Sequence, residues 1–278
     1  SPGGSAAARG FLWPASRVTG VNSLKDRCVI RGTLCSVQII MSSAYSSAVG
    51  MLVAFAAALM VVFAAPDRAS AAFDPRALYG SGIDFDVYRK GKQVGRHEVR
   101  FTQTDDRLEV ESRFEIAIDF LFFTAYRYVY RSSASWQAGE LASLLAEVND
   151  NGNLFSLTAK RDGNRMALDR SGERDLVSAP LLPTNHWNAG VLGQTRVLNT
   201  LTGRVNNVRI VPKDREQVST ERGPVTATRY LYTGELSTEV WYDDAGRWVK
   251  MRFEGTDGST IDYVCRRCQG PTPEKAAR

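Results

Sequence analysis

The sequence predicts an all-β protein, mainly antiparallel, built as a curved open sheet or half-barrel with one small helical insert. Three observations predict it. Apolar and charged residues alternate with a period of two in run after run. Compact turn signals, glycine beside Asn, Asp or Lys, separate those runs. Helical periodicity is confined to one stretch in the second half of the chain.

Residues 1–47 are Gly/Ala/Ser/Arg-rich, have no sustained period and receive no fold. The apolar run "AVGMLVAFAAALMVVFAA", Ala48 to Ala65, opens a segment 48–71 that reads as a signal peptide or, alternatively, a membrane anchor. Ala69, Ser70 and Ala71 fit the small-x-small cleavage rule, which makes Ala72 the first mature residue. Translation is expected to start at Met41 or Met51. A cleaved leader implies a periplasmic or secreted protein, and an uncleaved one an inner-membrane anchor.

Residues 72–268 read as one antiparallel β domain. "IDFDV" points Ile83, Phe85 and Val87 to one face. In "RLEVESRFEIAIDF" Leu108, Val110, Phe114, Ile116, Ile118 and Phe120 alternate with charged residues. That run is about twice the usual strand length, which predicts a bend or a bulge. The same alternation recurs in "TATRYLY", "STEVWY", "RWVKMRF" and "TIDYVC". Turn signals stand at 89–93, 149–153, 161–165, 243–247 and 256–260. One wet face per strand favours an open, strongly curved sheet. Six or so strands are expected before the insert and four or five after it. The insert is "WNAGVLGQTRVLNTLTG", capped by Asn185 or Asn188 and ended by Gly203. It is placed over the concave face, between two halves of one sheet. The polar, proline-containing tail 269–278 is expected to be disordered.

Charge narrows the partners. Residues 72–278 carry 29 basic and 28 acidic side chains, so the excess of base lies in the leader. A near-neutral domain gives no support to a nucleic-acid partner.

Candidate chemistry is sparse. His97 shares the parity of Val99 and Phe101 and reads as an inward, hydrogen-bonded histidine. His186, in "LLPTNHWN", has two readings. It is a base or headgroup ligand at a mouth, or it is one residue of a packed corner in which an asparagine caps a turn and Trp187 packs. The second is the plainer. There is no G-x-S-x-G, and Asp243 and Asp244 sit where a hairpin turn requires Asp. No catalytic residue is assigned, and no cofactor is expected. "CRRC" has the spacing of a zinc half-site and of a redox motif, but no second half-site follows, so no metal is assigned. In an exported protein Cys265 and Cys268 read best as a small structural disulfide. "FLFFTAYRYVY" sets Phe120, Phe122, Tyr126, Tyr128 and Tyr130 on one parity. This is either plain core or the lining of a groove for an acyl chain.

The ordered pieces "LLPTNHWN", "LNTLTG", "ELSTEVWYDDAGRWVKMRF" and "DGSTIDYVC" resemble a family of exported bacterial proteins known as domain of unknown function 6134. The resemblance covers roughly 80–268. Its distinctive positions are His186, Trp187, Asn188, Trp241, Tyr242 and Asp243. It implies an architecture similar to the half-barrel of periplasmic lipoprotein carriers, and no activity. The expected function is non-enzymatic: a periplasmic binding or carrier module for a lipid or other apolar ligand. His186, Trp187, Asn188, Trp241, Tyr126 and Tyr128 are its candidate binding residues. The alternatives are an envelope hydrolase using His186, or a structural partner of another envelope protein.

Overall fold

The computed structural model describes residues 74–120, 123–255 and 257–270. The leader, its cleavage point and the tail beyond residue 270 lie outside the described residues.

A short helix α1 (Pro75–Tyr79) opens the described chain. Asp74 caps it by accepting from Arg76 N at 2.9 Å, and Pro75 fills the first turn. Eight strands follow as a meander: β1 (Gly82–Arg89), β2 (Lys92–Thr104), β3 (Arg107–Phe120), β4 (Phe123–Gln137), β5 (Glu140–Asp150), β6 (Asn153–Asp162), β7 (Arg165–Arg170) and β8 (Glu173–Ser178). Tight two-residue turns join most of them. Lys90–Gly91 and Asn151–Gly152 both have positive φ, the geometry that matches the twist of a hairpin.

The second half contains β9 (Leu182–Pro183), a 3₁₀ turn (Ala189–Gly193), β10 (Arg196–Leu198), β11 (Val205–Thr220), β12 (Gly223–Gly234), β13 (Thr238–Asp243), β14 (Trp248–Glu254) and β15 (Thr260–Arg267). All the strands join one sheet, ordered β8-β7-β6-β5-β4-β3-β2-β1-β15-β14-β13-β12-β11-β10-β9. Every pairing is antiparallel except β9 with β10. The sheet is open and mainly antiparallel, as the alternation predicts.

Its curvature is strong enough to bring the two edges together. Only Ala179, Pro180 and Leu181 separate β8 at one edge from β9 at the other. A chain of that length reaches at most about 14 Å. Bulges supply part of the bend, at Val87/Tyr88, Ile118/Asp119 and Ser135/Trp136 among others. The one in β3 is where its unusual length predicts it.

The inner face holds the core. Ile83, Phe85, Val87, Val110, Ile116, Leu157 and Leu168 are almost completely buried there, together with Trp187 and Trp248.

Three expectations are corrected. The helical insert shrinks to five residues of 3₁₀ turn, because glycines 190 and 193 interrupt it and Arg196–Leu198 instead pair with β11. Among the described residues nine strands precede that turn and six follow it, because the short hairpins of residues 153–178 alternate less clearly. Gln269 and Gly270 are not a loose tail. Both are buried, and Gly270 N donates to Leu78 O at 2.7 Å.

Candidate functional site

The segment 182–203 lies inside the curl, as the sequence predicts, and roofs the concave face. Thr184 N donates to Leu198 O at 2.9 Å, tying its two arms. Asn188 caps the 3₁₀ turn through Gly190 N at 2.9 Å. Asn199 closes a tight turn by accepting from Leu201 N with its side chain and from Gly203 N with its carbonyl.

Two tyrosines of the sheet side hold the middle of the roof by its backbone. Tyr242 Oη donates to His186 O at 2.6 Å, and Tyr79 Oη donates to Trp187 O at 3.1 Å. The Tyr79 oxygen also accepts from Trp248 N at 2.8 Å. Trp187 is wedged against Phe101 and Trp136, with ring centres 5.4 and 5.1 Å away. These contacts make "NHW" a packed corner.

Beneath the roof is a cavity of about 50 Å³. His97, Phe114, Tyr130 and Tyr263 line it from β2, β3, β4 and β15, and Met251 from β14. Asn185, His186, Asn199 and Thr200 line it from above. Tyr130 Oη donates to Thr200 Oγ1 at 3.0 Å and lies 3.3 Å from Asn185 Oδ1. His186 Nδ1 is 3.5 Å from Tyr232 Oη, a weak contact at best.

His97 departs from its expectation. It points inward, but neither ring nitrogen has a hydrogen-bond partner among the described residues. Its neighbours are rings: Phe114, Trp248 and Tyr263, all within 5.7 Å between centres. Three aromatic side chains pack around the imidazole, and its polar neighbours across the cavity stand beyond hydrogen-bond reach. Burial pushes its pKa down to about 4. His186 is pushed further, to about 3, by burial and then by the charge of His97. Both imidazoles are therefore neutral near pH 7. Burial raises the phenols of Tyr130, Tyr232 and Tyr263, so these too stay uncharged. The cavity is an uncharged, hydrogen-bonding space inside an apolar shell.

The other candidate residues fall around this centre. Asn188 is half-buried at the end of the roof. Tyr128 is buried in the core behind Phe114, with ring centres 5.7 Å apart. Tyr126 is half-buried and donates to Asp150 Oδ1 at 2.6 Å. Trp241 stands apart on the opposite face, where Lys250 Nζ lies 4.3 Å from its ring centre. Its chain neighbour Val240 and Met251, the cross-strand partner of Val240, point the other way, towards the core. Asp243 closes its hairpin, accepting from Ala245 N and Arg247 N, as the turn reading predicts. The side chains of Phe120 and Phe122 lie outside the described residues. Cys265 and Cys268 are joined in a disulfide.

Sequence reasoning named Tyr130 in the aromatic stripe but missed Thr200, Leu236, Met251 and Tyr263 as cavity residues. Alternation says which face a strand residue takes, but no pattern shows which inward residues share one void.

No curated protein matches the sequence. Among solved structures, a β-barrel-like protein of the domain of unknown function DUF1849 from Brucella abortus is similar, at 12% identity and a TM-score of 0.49. The match covers 68% of this chain and 96% of that one. The sequence matches the family described as Domain of unknown function (DUF6134) over residues 85–266. That span is well over half of the chain and agrees with the resemblance carried by "LLPTNHWN" and "WYDDAGRWVKMRF". The chain belongs to the DUF6134 family.

Proposed function

We propose that the protein is an exported, non-enzymatic binding module that holds its ligand inside the curl of the sheet, under the 182–203 roof. The observation that carries this reading is His97. A buried donor or acceptor without a partner costs about 1–3 kcal/mol, and His97, which lines the cavity, has two such nitrogens. A molecule that supplies the missing hydrogen bonds recovers that cost. The ligand that fits the closed form is small and uncharged, with a hydrogen-bonding edge. At about 50 Å³ the space takes a few water-sized groups.

A lipid is the larger version of the same reading. The wall residues Phe114, Leu201, Leu236 and Met251 suit an acyl chain. Pockets for ligands of that size run to several hundred Å³, so a lipid requires the roof to lift off the sheet. Export is supported by the apolar run Ala48 to Ala65 and by the disulfide in the domain. An envelope-protein partner is a second reading, favoured by β8. That strand is an edge, is exposed along most of its length and carries Leu176 at 46% exposure. The hydrolase alternative gains little, because His186 faces phenols and a second imidazole rather than a carboxylate among the described residues.

Native mass spectrometry of the protein from its own host tests the proposal. A stoichiometric added mass, lost in His97→Phe, is the expected result. An added mass that extracts into organic solvent identifies a lipid and an opening roof. A bare protein mass, unchanged after incubation with host extract, overturns the reading.

A further inference from the structure

The C-terminal end of β15 carries a second constellation, which begins two residues beyond Tyr263 of the cavity wall. The hairpin between β11 and β12 reaches past β13 and β14 and places Glu221 against the Cys265–Cys268 loop. Its carboxylate is held by backbone. Oε1 accepts from Gln269 N at 3.0 Å and from Cys268 N at 3.1 Å. Gln269 Nε2 fixes the adjoining Thr220 hydroxyl at 3.1 Å. Oε2 is turned to the sulfur side, 3.1 Å from Cys265 Sγ.

The donor atoms of Glu221, Cys265 and Cys268 all lie within 4.8 Å of one another. While the disulfide stands, the two sulfurs are bonded to each other and offer no thiolate. Once it is reduced, the same three side chains present two thiolates and an anchored carboxylate. Around a tetrahedral zinc with Zn–S of about 2.3 Å, two sulfurs sit about 3.8 Å apart. With the Cα atoms 5.8 Å apart, rotation of the two side chains reaches that spacing without moving the backbone. Cys268 is fully buried and Cys265 nearly so, which shields the thiolates, while exposed Glu221 leaves a fourth position open to water.

We propose that Glu221, Cys265 and Cys268 form a site for a thiophilic divalent cation of the zinc class, mutually exclusive with the disulfide. The balance is simple. A dithiol reductant gives two electrons and two protons to the disulfide and becomes a disulfide itself. The cation then displaces both thiol protons and binds two thiolates and the Glu221 carboxylate. Oxidation by a disulfide-forming catalyst reverses the exchange and expels the ion.

The test uses the full chain with Cys28→Ser and Cys35→Ser, so that only these two thiols remain. The protein is reduced without oxygen and titrated with Co²⁺, which reports thiolate ligation by its near-ultraviolet charge-transfer bands. One equivalent is expected to bind with two-thiolate intensity, to be displaced by Zn²⁺ and to be absent from the oxidised protein. Glu221→Ala, at an exposed turn, is expected to weaken binding by roughly tenfold or more. Circular dichroism confirms that each protein tested is folded. Absence of the bands in the folded, reduced protein overturns the proposal. So does equal affinity in Glu221→Ala, which reduces the site to a bare dithiol.

Discussion

At the scale of single residues, the two histidines make the protein sensitive to acid. Unfolded, each titrates near 6.5, whereas folded they are held at about 4 and about 3. The unfolded chain therefore binds two protons that the folded chain refuses. Their contribution is complete above pH 6.5, shrinks as pH falls, and levels off below the folded values. At roughly 1.4 kcal/mol per pKa unit, the loss by pH 4 is on the order of several kcal/mol. Urea unfolding at pH 7.5 and 4.5 measures it. The double variant His97→Phe, His186→Phe is expected to lose at least about 3 kcal/mol less than the parent over that interval. Tyr242→Phe isolates the roof. It removes one buried hydrogen bond, to His186 O, and is expected to cost about 1–3 kcal/mol, visible as a lower Tm. Both histidines were legible in the sequence as inward or interesting. That His97 lacks a partner was not, because satisfaction depends on side chains brought in from four other strands.

At the scale of elements, strands were easier to read than their junctions. β3 was legible almost to the residue, since strict alternation of apolar and charged side chains has one physical solution. The roof was not. Its Val and Leu spacing mimics a helix, yet its glycines and its pairing with β11 make it a strand and a turn. Bulges were also hidden, except where length demanded one. Gly95, beside the bulge between β1 and β2, lies so close to β3 that a Cβ there would collide with the Glu115 carbonyl oxygen. Gly95→Ala is therefore expected to destabilise the fold by about 1–3 kcal/mol, checked by chemical unfolding. The corresponding change at Gly152, a turn position with open space around it, tests backbone strain alone and is expected to cost less.

For the whole molecule, topology separates centre from edge. The first and last strands pair at the middle of the sheet, while β8 and β9, its two edges, are neighbours in sequence. A proline in β15 should thus be far more harmful than one in β8. Val264→Pro breaks a ladder shared with β1 and β14 and is expected to cost 3 kcal/mol or more, or to prevent folding. Leu176→Pro touches only the ladder with β7 and is expected to leave a folded protein with a modestly lower Tm. Thermal unfolding followed by circular dichroism distinguishes the two. The sheet itself was legible from periodicity, but this order was not, because alternation says which face a residue takes and nothing about which strand lies beside it. The pairing of β1 with β15 also sets a schedule. During synthesis β1 has its partner β2 at once, but the strand for its other side is made roughly 170 residues later. At about 5–20 residues per second, one flank of β1 waits on the order of 10–30 s. Throughout that interval the centre of the finished sheet is an open edge, and the nascent chain is most vulnerable where the mature protein is most secure.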